Sequence, residues 1–191
     1  MKRRQLLVGL FAVAAVATGV TSWAILSYSA APADAKAPSS ADQNLRDADT
    51  LLQAGITQQQ NHDVEGADRT YRRVLELDPQ NKYAWYNLGV MAHQAGRAAD
   101  ARAAYDKALK IDPAFPSALF NEALLVESSD PDQAGELLKR VIAADPRAGT
   151  AHLHLGRIRA LQKRDKDAAD EFRRAITADP SLWSQVPEEF R

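Results

Sequence analysis

The 191-residue sequence predicts an all-α chain: a solenoid of about four antiparallel helix-turn-helix repeats, preceded by one apolar N-terminal helix. Three observations carry that reading. A helical pattern ending in Asp-Pro returns four times, as "VLELDP" (Val74–Pro79), "ALKIDP" (Ala108–Pro113), "VIAADP" (Val141–Pro146) and "AITADP" (Ala175–Pro180). Pro79, Pro113, Pro146 and Pro180 stand 34, 33 and 34 residues apart, a period of the length that stacked supersecondary units require. Near the N-terminus, the run from Leu6 to Leu26 holds 21 residues without a charge.

Twenty-one helical residues rise about 31 Å, close to the hydrocarbon thickness of a bilayer. Residues 1–28 are therefore expected to form a signal-anchor or transmembrane helix. Lys2, Arg3 and Arg4 stay cytoplasmic by the positive-inside rule, which makes the chain a single-pass protein of a bacterial-type cytoplasmic membrane with its repeats extracytoplasmic. A cleaved signal peptide is the competing reading, because Leu6–Ala17 suits its shorter apolar core and Ala33-Asp34-Ala35 has the A-x-A form. The repeats would then be secreted or periplasmic. Arg3-Arg4-Gln5-Leu6-Leu7 also resembles a twin-arginine export signal. Residues 29–44, "SAAPADAKAPSSADQN", lack apolar periodicity and read as a flexible linker.

Residues 45–182 form the repeat domain, with units at 48–81, 82–115, 116–148 and 149–182, and 183–191 form a C-terminal cap or tail. In the second unit, Trp85, Leu88, Gly89 and Ala92 recur on one helical face. Gly96 suits the left-handed residue that closes this first helix. Ala101, Ala104, Tyr105, Ala108 and Leu109 then make a second amphipathic helix, which Pro113 stops while pushing Asp112 out of helical angles. Small residues fall where two helices of a hairpin approach closely, and Tyr105 is the bulky filler. The pattern returns as Ala54-Gly55, Ala67, Tyr71 and Val74 in the first unit, and as Leu155-Gly156, Ala168, Phe172 and Ala175 in the fourth. The third unit departs, with Leu119 for the tryptophan, Glu122-Ala123 for Leu-Gly, and one residue deleted in "ESSDPDQ", where Pro131 opens the second helix. At the end of the chain Leu182, Trp183 and Val186 could cap the last hairpin, although Pro187 argues against a full capping helix.

The set Trp85, Leu88, Gly89, Ala101, Tyr105, Ala108 and Pro113 resembles the tetratricopeptide repeat. The resemblance implies stacked helix pairs wound into a superhelix, with a concave groove lined by the first helix of each pair that holds peptide ligands. Physics agrees on the stacking, since one hairpin cannot bury its apolar face alone.

Composition narrows the function. The net charge is -1 with Lys2, Arg3 and Arg4 included, so the remaining chain is mildly acidic and offers no basic footprint for nucleic acid. Without cysteine there are no disulfides, thiolate metal sites or cysteine-linked haem. His152 and His154 lie about 200° apart on a helix and cannot grip one metal from one face. They read, like His62 and His93, as solvent or groove residues. Metalloprotease, nucleophile-elbow, phosphate-loop and dinucleotide motifs do not occur. Asp78, Asp112, Asp145 and Asp179 read as turn residues. No cofactor, no metal and no enzymatic activity are expected. The basic pairs Arg72-Arg73, Lys139-Arg140 and Arg173-Arg174, with Lys107, read as a solvated face of the second helices.

Positions 2, 5, 9 and 12 of each unit share a separate face of the first helix. They are Asp49, Leu52, Ile56 and Gln59; Tyr83, Tyr86, Val90 and His93; Ser117, Phe120, Leu124 and Glu127; and Thr150, Leu153, Arg157 and Ala160. Asn87 and Asn121 lie beside it. The resemblance places this face in the groove, so Tyr83, Tyr86, Asn87, Val90, His93, Phe120, Asn121, Leu124, Leu153 and Arg157 are the candidate partner-binding residues. The competing reading has Tyr86, Phe120 and Leu153 covered by neighbouring helices. The carboxylate clamp known in the family is not matched, because Leu52, Ile56, Ser117 and Asn121 occupy its key positions. The expected function is thus a membrane-tethered protein–protein interaction module, an adaptor or scaffold that binds a peptide or helix of a partner protein. An exported factor for cytochrome c maturation, secretion or pilus assembly is the more specific alternative, and an enzyme with an unrecognised site is a remote one. Oligomeric state is not legible.

Overall fold

The computed structural model describes residues 39–191. These form eight α-helices: α1 (Ser40–Gln60), α2 (Val64–Leu77), α3 (Lys82–Gln94), α4 (Ala98–Ile111), α5 (Pro116–Val126), α6 (Pro131–Ala144), α7 (Gly149–Leu161) and α8 (Asp165–Ala178), followed by 3-10 turns at Pro180–Gln185 and Glu188–Phe190. Helices pair as α1–α2, α3–α4, α5–α6 and α7–α8, and each pair packs on the next through α2–α3, α4–α5 and α6–α7. The expected N-terminal helix, residues 1–28, and most of the expected linker lie outside the described residues. Among those described, no helix is long and apolar enough to cross a membrane.

The linker's last residues are a correction. Ser39 accepts from the Asp42 amide through Oγ at 3.2 Å, while Asp42 accepts from the Ser39 amide at 3.0 Å. This reciprocal cap satisfies two otherwise unpaired donors and starts the helix early, so Ser40–Asn44 are helical and not linker. α1 runs 21 residues, and its exposed N-terminal turns precede its first buried residue, Ala48.

Within a hairpin the tightest contact is a glycine against a ring. A β-carbon on Gly55, Gly89 or Gly156 would lie 2.6 Å from Tyr71, 2.5 Å from Tyr105 and 2.7 Å from Phe172, respectively. All three rings are fully buried. The third repeat changes both partners together: Ala123 replaces the glycine and Leu138 the ring, each 1% exposed.

The turns also follow the period. In three units the second residue after the first helix is left-handed, Gly96 at φ 72°, His62 at 62° and Lys163 at 58°. The deletion in "ESSDPDQ" removes that residue from the third repeat. There Asp130 caps α6 instead, accepting from the Gln133 amide at 3.0 Å, with Pro131 at the first helical position. At the other end of each hairpin, Asp78, Asp112, Asp145 and Asp179 leave helical angles, with φ of -135°, -133°, -136° and -143°. Each carboxylate accepts from the amide two residues on, at 2.9–3.1 Å. These four aspartates are turn residues.

The C-terminal segment covers the open side of the last hairpin. Leu182 and Val186 are buried, and the Phe190 ring lies 5.2 Å from Phe172. Trp183, expected in the cap, is half exposed, because on a 3-10 turn it points about 120° away from the buried Leu182, and Phe190 packs on Phe172 instead.

Gly89→Ala should destabilise the chain by about 1–3 kcal/mol through overpacking against Tyr105. In the third repeat, Leu138→Phe should be destabilising alone and substantially repaired by Ala123→Gly. Thermal denaturation of the two single variants and the double variant measures that coupling.

Candidate functional site

The first-helix face is built by α1, α3, α5 and α7. Its four rows differ in what neighbouring repeats leave uncovered. At position 2, Asp49, Tyr83, Ser117 and Thr150 are exposed; at positions 9 and 12 the side chains from Ile56 to Ala160 are half-buried. Position 5 is the inter-repeat row. Leu52 is 6% and Leu153 1% exposed, whereas Tyr86 and Phe120 remain half-buried.

Phe115 explains the aromatic centre of this face. It is the last residue of the second unit, buried beneath α3, with its ring 5.4 Å from Tyr83 and 5.3 Å from Tyr86, both edge-on. The Lys82 ammonium lies 5.1 Å from the Phe115 ring and 5.2 Å from the Tyr83 ring, held by Asp112 at 2.5 Å. That pair holds the Asp112 carboxyl below its usual range. Sequence reasoning missed Phe115. The available signal was an apolar residue at the last position of the second and fourth units, Phe115 and Leu182.

Tyr86 links two repeats: its hydroxyl accepts from Asn121 Nδ2 at 3.1 Å, and the same amide donates to the Ser117 carbonyl at 2.9 Å. Burial raises the Tyr86 phenol above its usual value, with the Asn121 bond pulling weakly the other way. Asn121 therefore positions Tyr86 from the following repeat. Asn87 has different company and lines a polar recess between α1 and α3 with Ile56, Gln59, Gln60, His62 and Gln94.

A second linkage joins α5 to α7. His154 Nδ1 lies 2.8 Å from Glu127 Oε2, and its ring meets Phe120 edge-on at 5.7 Å. His152, read in the sequence as a solvent or groove residue, is instead 2% exposed. It faces away from the groove, with Nδ1 2.6 Å from Glu171 and Nε2 3.1 Å from the Pro146 carbonyl, and it ties α7 to α8 and to the preceding turn. The two histidines diverge as their spacing requires.

The face closes at its C-terminal end. Leu153 packs with Phe172, Leu182 and Val186, so it does not line an open groove and the covered-residue reading holds there. Arg157 Nη2 donates to the Gln185 carbonyl at 3.3 Å. The structure thus brings together Tyr83, Tyr86, Asn121, Phe120 and His154 across the middle repeats, with Val90, His93 and Leu124 half-buried on the same face and Leu153 buried apart.

The opposite face is salted. Arg72 pairs with Asp68, Arg73 with Glu76, Lys139 with Glu136, Arg173 with Asp170 and Arg174 with Glu171. Exposed pairs of this kind within one helix contribute little to stability, and they leave the basic stripe largely neutralised. No group of three potential metal ligands occurs among the described residues.

Comparison with known proteins gives a consistent fold. The family described as tetratricopeptide repeat matches residues 52–116 and 124–182. The human protein O-mannosyl-transferase TMTC3 is 29% identical over 140 residues, 65% of this chain but 15% of that protein's length. The crystal structure of MamA superposes with a TM-score of 0.64 at 20% identity, covering 72% of this chain and 81% of that one. PilW, described as a widely conserved type IV pilus biogenesis factor, also reaches 0.64 at 20% identity, covering 71% of this chain and 63% of that one. The chain therefore spans only a small part of TMTC3 and less than two thirds of PilW, and the structural likenesses establish fold alone.

Tyr86→Phe and Asn121→Ala should each cost about 1 kcal/mol, and their effects should be non-additive because both remove one inter-repeat hydrogen bond. A double-mutant cycle in chemical denaturation measures the coupling.

Proposed function

Because the chain belongs to the tetratricopeptide repeat family, we propose that it is a non-enzymatic adaptor that holds a segment of a partner protein against the face of α3 and α5. The observation that carries this reading is the state of the aromatic row. Tyr83 is 49% exposed although Phe115 and Lys82 fix its ring, so a large apolar surface is held rigid and in contact with water. Rigid aromatic side chains lose little entropy on binding and suit the anchoring positions of an interface.

The chemistry around that row describes the ligand. Between Gln59 and Arg157 the face presents amides, aromatic rings and aliphatic groups, and its inward carboxylate Glu127 is engaged with His154. A strongly charged tail would find little to pair with. An amphipathic helix or an extended peptide with apolar anchors fits better, the aliphatic side chains entering beside Tyr83 and Val90 and the peptide amides meeting Asn87. Residues 6–26 supply the tether, placing the repeats outside the cytoplasmic membrane, and the partner is accordingly an extracytoplasmic protein.

Pilus assembly is the specific version that an observation favours, since PilW combines this fold with a role in type IV pilus biogenesis. The likeness to TMTC3 gives less support to an enzyme, because that relative is named a transferase but the shared segment is a small fraction of its length.

A photoreactive residue in place of Tyr83, in intact cells, should crosslink the same single polypeptide as one in place of Val90. One in place of Arg73, on the opposite face, should not. Combining Tyr83→Ala with His93→Ala should lower recovery of that polypeptide on co-purification about tenfold without changing the melting curve. Equal crosslinking from all three positions would refute the groove assignment.

A further inference from the structure

Glu122 occupies the place that holds Leu88 in the second repeat and Leu155 in the fourth. The residue is 4% exposed, and its Oε2 is shut off from solvent without a hydrogen-bond partner. An unpaired carboxylate in such a place costs several kcal/mol, and a neutral carboxyl considerably less. The charged groups facing it come from both neighbours of α5: Asp106 and Arg102 from α4, and Arg140 from α6.

Neither arginine is bound to the carboxylate. Arg102 donates to Gln133 Oε1 at 3.2 Å, across the gap between α4 and α6. Arg140 donates to the Pro113 carbonyl at 2.5 Å, in the turn between the second and third repeats. Two cations are thus held by neutral acceptors above a carboxyl group that lacks one. Burial first, and then Asp106, keep the Glu122 carboxyl above its ordinary range, with Arg102 and Arg140 opposing.

We propose that the joint between the second and third repeats is a proton-controlled device, closed while Glu122 carries a proton and loosened when its carboxylate draws water between α4, α5 and α6. A group whose folded pKa is raised contributes stability that is fully present below its unfolded value, about 4.3 for glutamate, and lost as pH rises through the folded value. Stability of this joint therefore falls with rising pH. Asp112 and Glu136 behave oppositely, since their lowered pKa values place their contribution above the ordinary carboxylate range and remove it in acid. The consequence reaches the binding face, because α5 also carries Phe120, Asn121 and Leu124.

Hydrogen exchange of the full chain, followed by mass spectrometry and corrected for intrinsic rates, tests this segment by segment. Between about pH 4 and pH 8, protection of Ala118–Val126 should fall severalfold, while that of Tyr71–Leu75 should follow no such trend. Glu122→Gln should abolish the fall. Glu122→Leu, which restores the residue of the neighbouring repeats, should abolish it and raise protection throughout, and it carries the test if the glutamine variant fails to fold. Protection that is flat or rises with pH in the natural chain overturns the proposal, because Arg102 or Arg140 has then taken the carboxylate. An equal fall in the natural chain and both variants also overturns it, because the titrating group then lies elsewhere.

Discussion

In three of the four repeats a glycine on the first helix meets an aromatic ring on the second, with no room for a β-carbon between them. This contact sets how closely the two helices of a hairpin approach, and most of the stack follows from it. With the ring fully enclosed, Ala67, Ala101 and Ala168 can be buried at the same seam and the next hairpin finds a flat surface to pack on. It is the ring's volume that matters. The Tyr71 hydroxyl donates to Gln59 and is pushed up to about 12 by burial, whereas the Tyr105 hydroxyl is buried without a partner and is pushed higher still. Phe172 fills the same place with no hydroxyl to satisfy.

Stacking then depends on where each hairpin stops. The Asp-Pro pair ends the second helix by geometry, since proline cannot continue the ladder and the residue before it is driven to extended angles. The aspartate does more than mark the end. Its amide still bonds the carbonyl four residues back, and its carboxylate caps the amide two residues ahead, so the chain turns within a fixed length. That length places position 5 of one unit over the start of the next, which is why Tyr86 meets Phe115 at the end of its own unit and Asn121 of the following one. A single deletion elsewhere in the third repeat leaves this register intact, because it falls in the turn inside the hairpin, where Asp130 and Pro131 restart the helix.

This explains what could be read from the residues alone. Helices, turns and the alternation of small and bulky positions were legible because each depends on neighbours within about 34 residues, and the period repeats the evidence. The early start of α1 escaped notice, since a Ser-x-x-Asp cap in an Ala/Ser/Pro-rich stretch resembles linker composition. The candidate face was legible as a set of positions but not as a surface. Periodicity put Tyr86, Phe120 and Leu153 in one row; only contacts between repeats separate them, with Leu153 sealed beneath Leu182 and Val186. Likewise, spacing parted His152 from His154, but not which of the two would be buried.

The departures from the repeat are concentrated, and their location bears on function. Ala123 for glycine, Leu138 for a ring, Glu122 for leucine and the missing left-handed residue all belong to the third repeat. Ala123 and Leu138 compensate each other, so packing is preserved there with less volume at the seam. Glu122 has no such compensation: a leucine would serve the core better, as it does on either side. The same repeat supplies Phe120 and Asn121 to the proposed binding face, where it meets Tyr86 of the repeat before it and His154 of the repeat after it. Rigid repeats therefore flank one with a weaker interior. Natural proteins commonly carry stability costs where function requires adaptability, and here the cost lies on α5, the helix that also carries Phe120 and Asn121 of the proposed face.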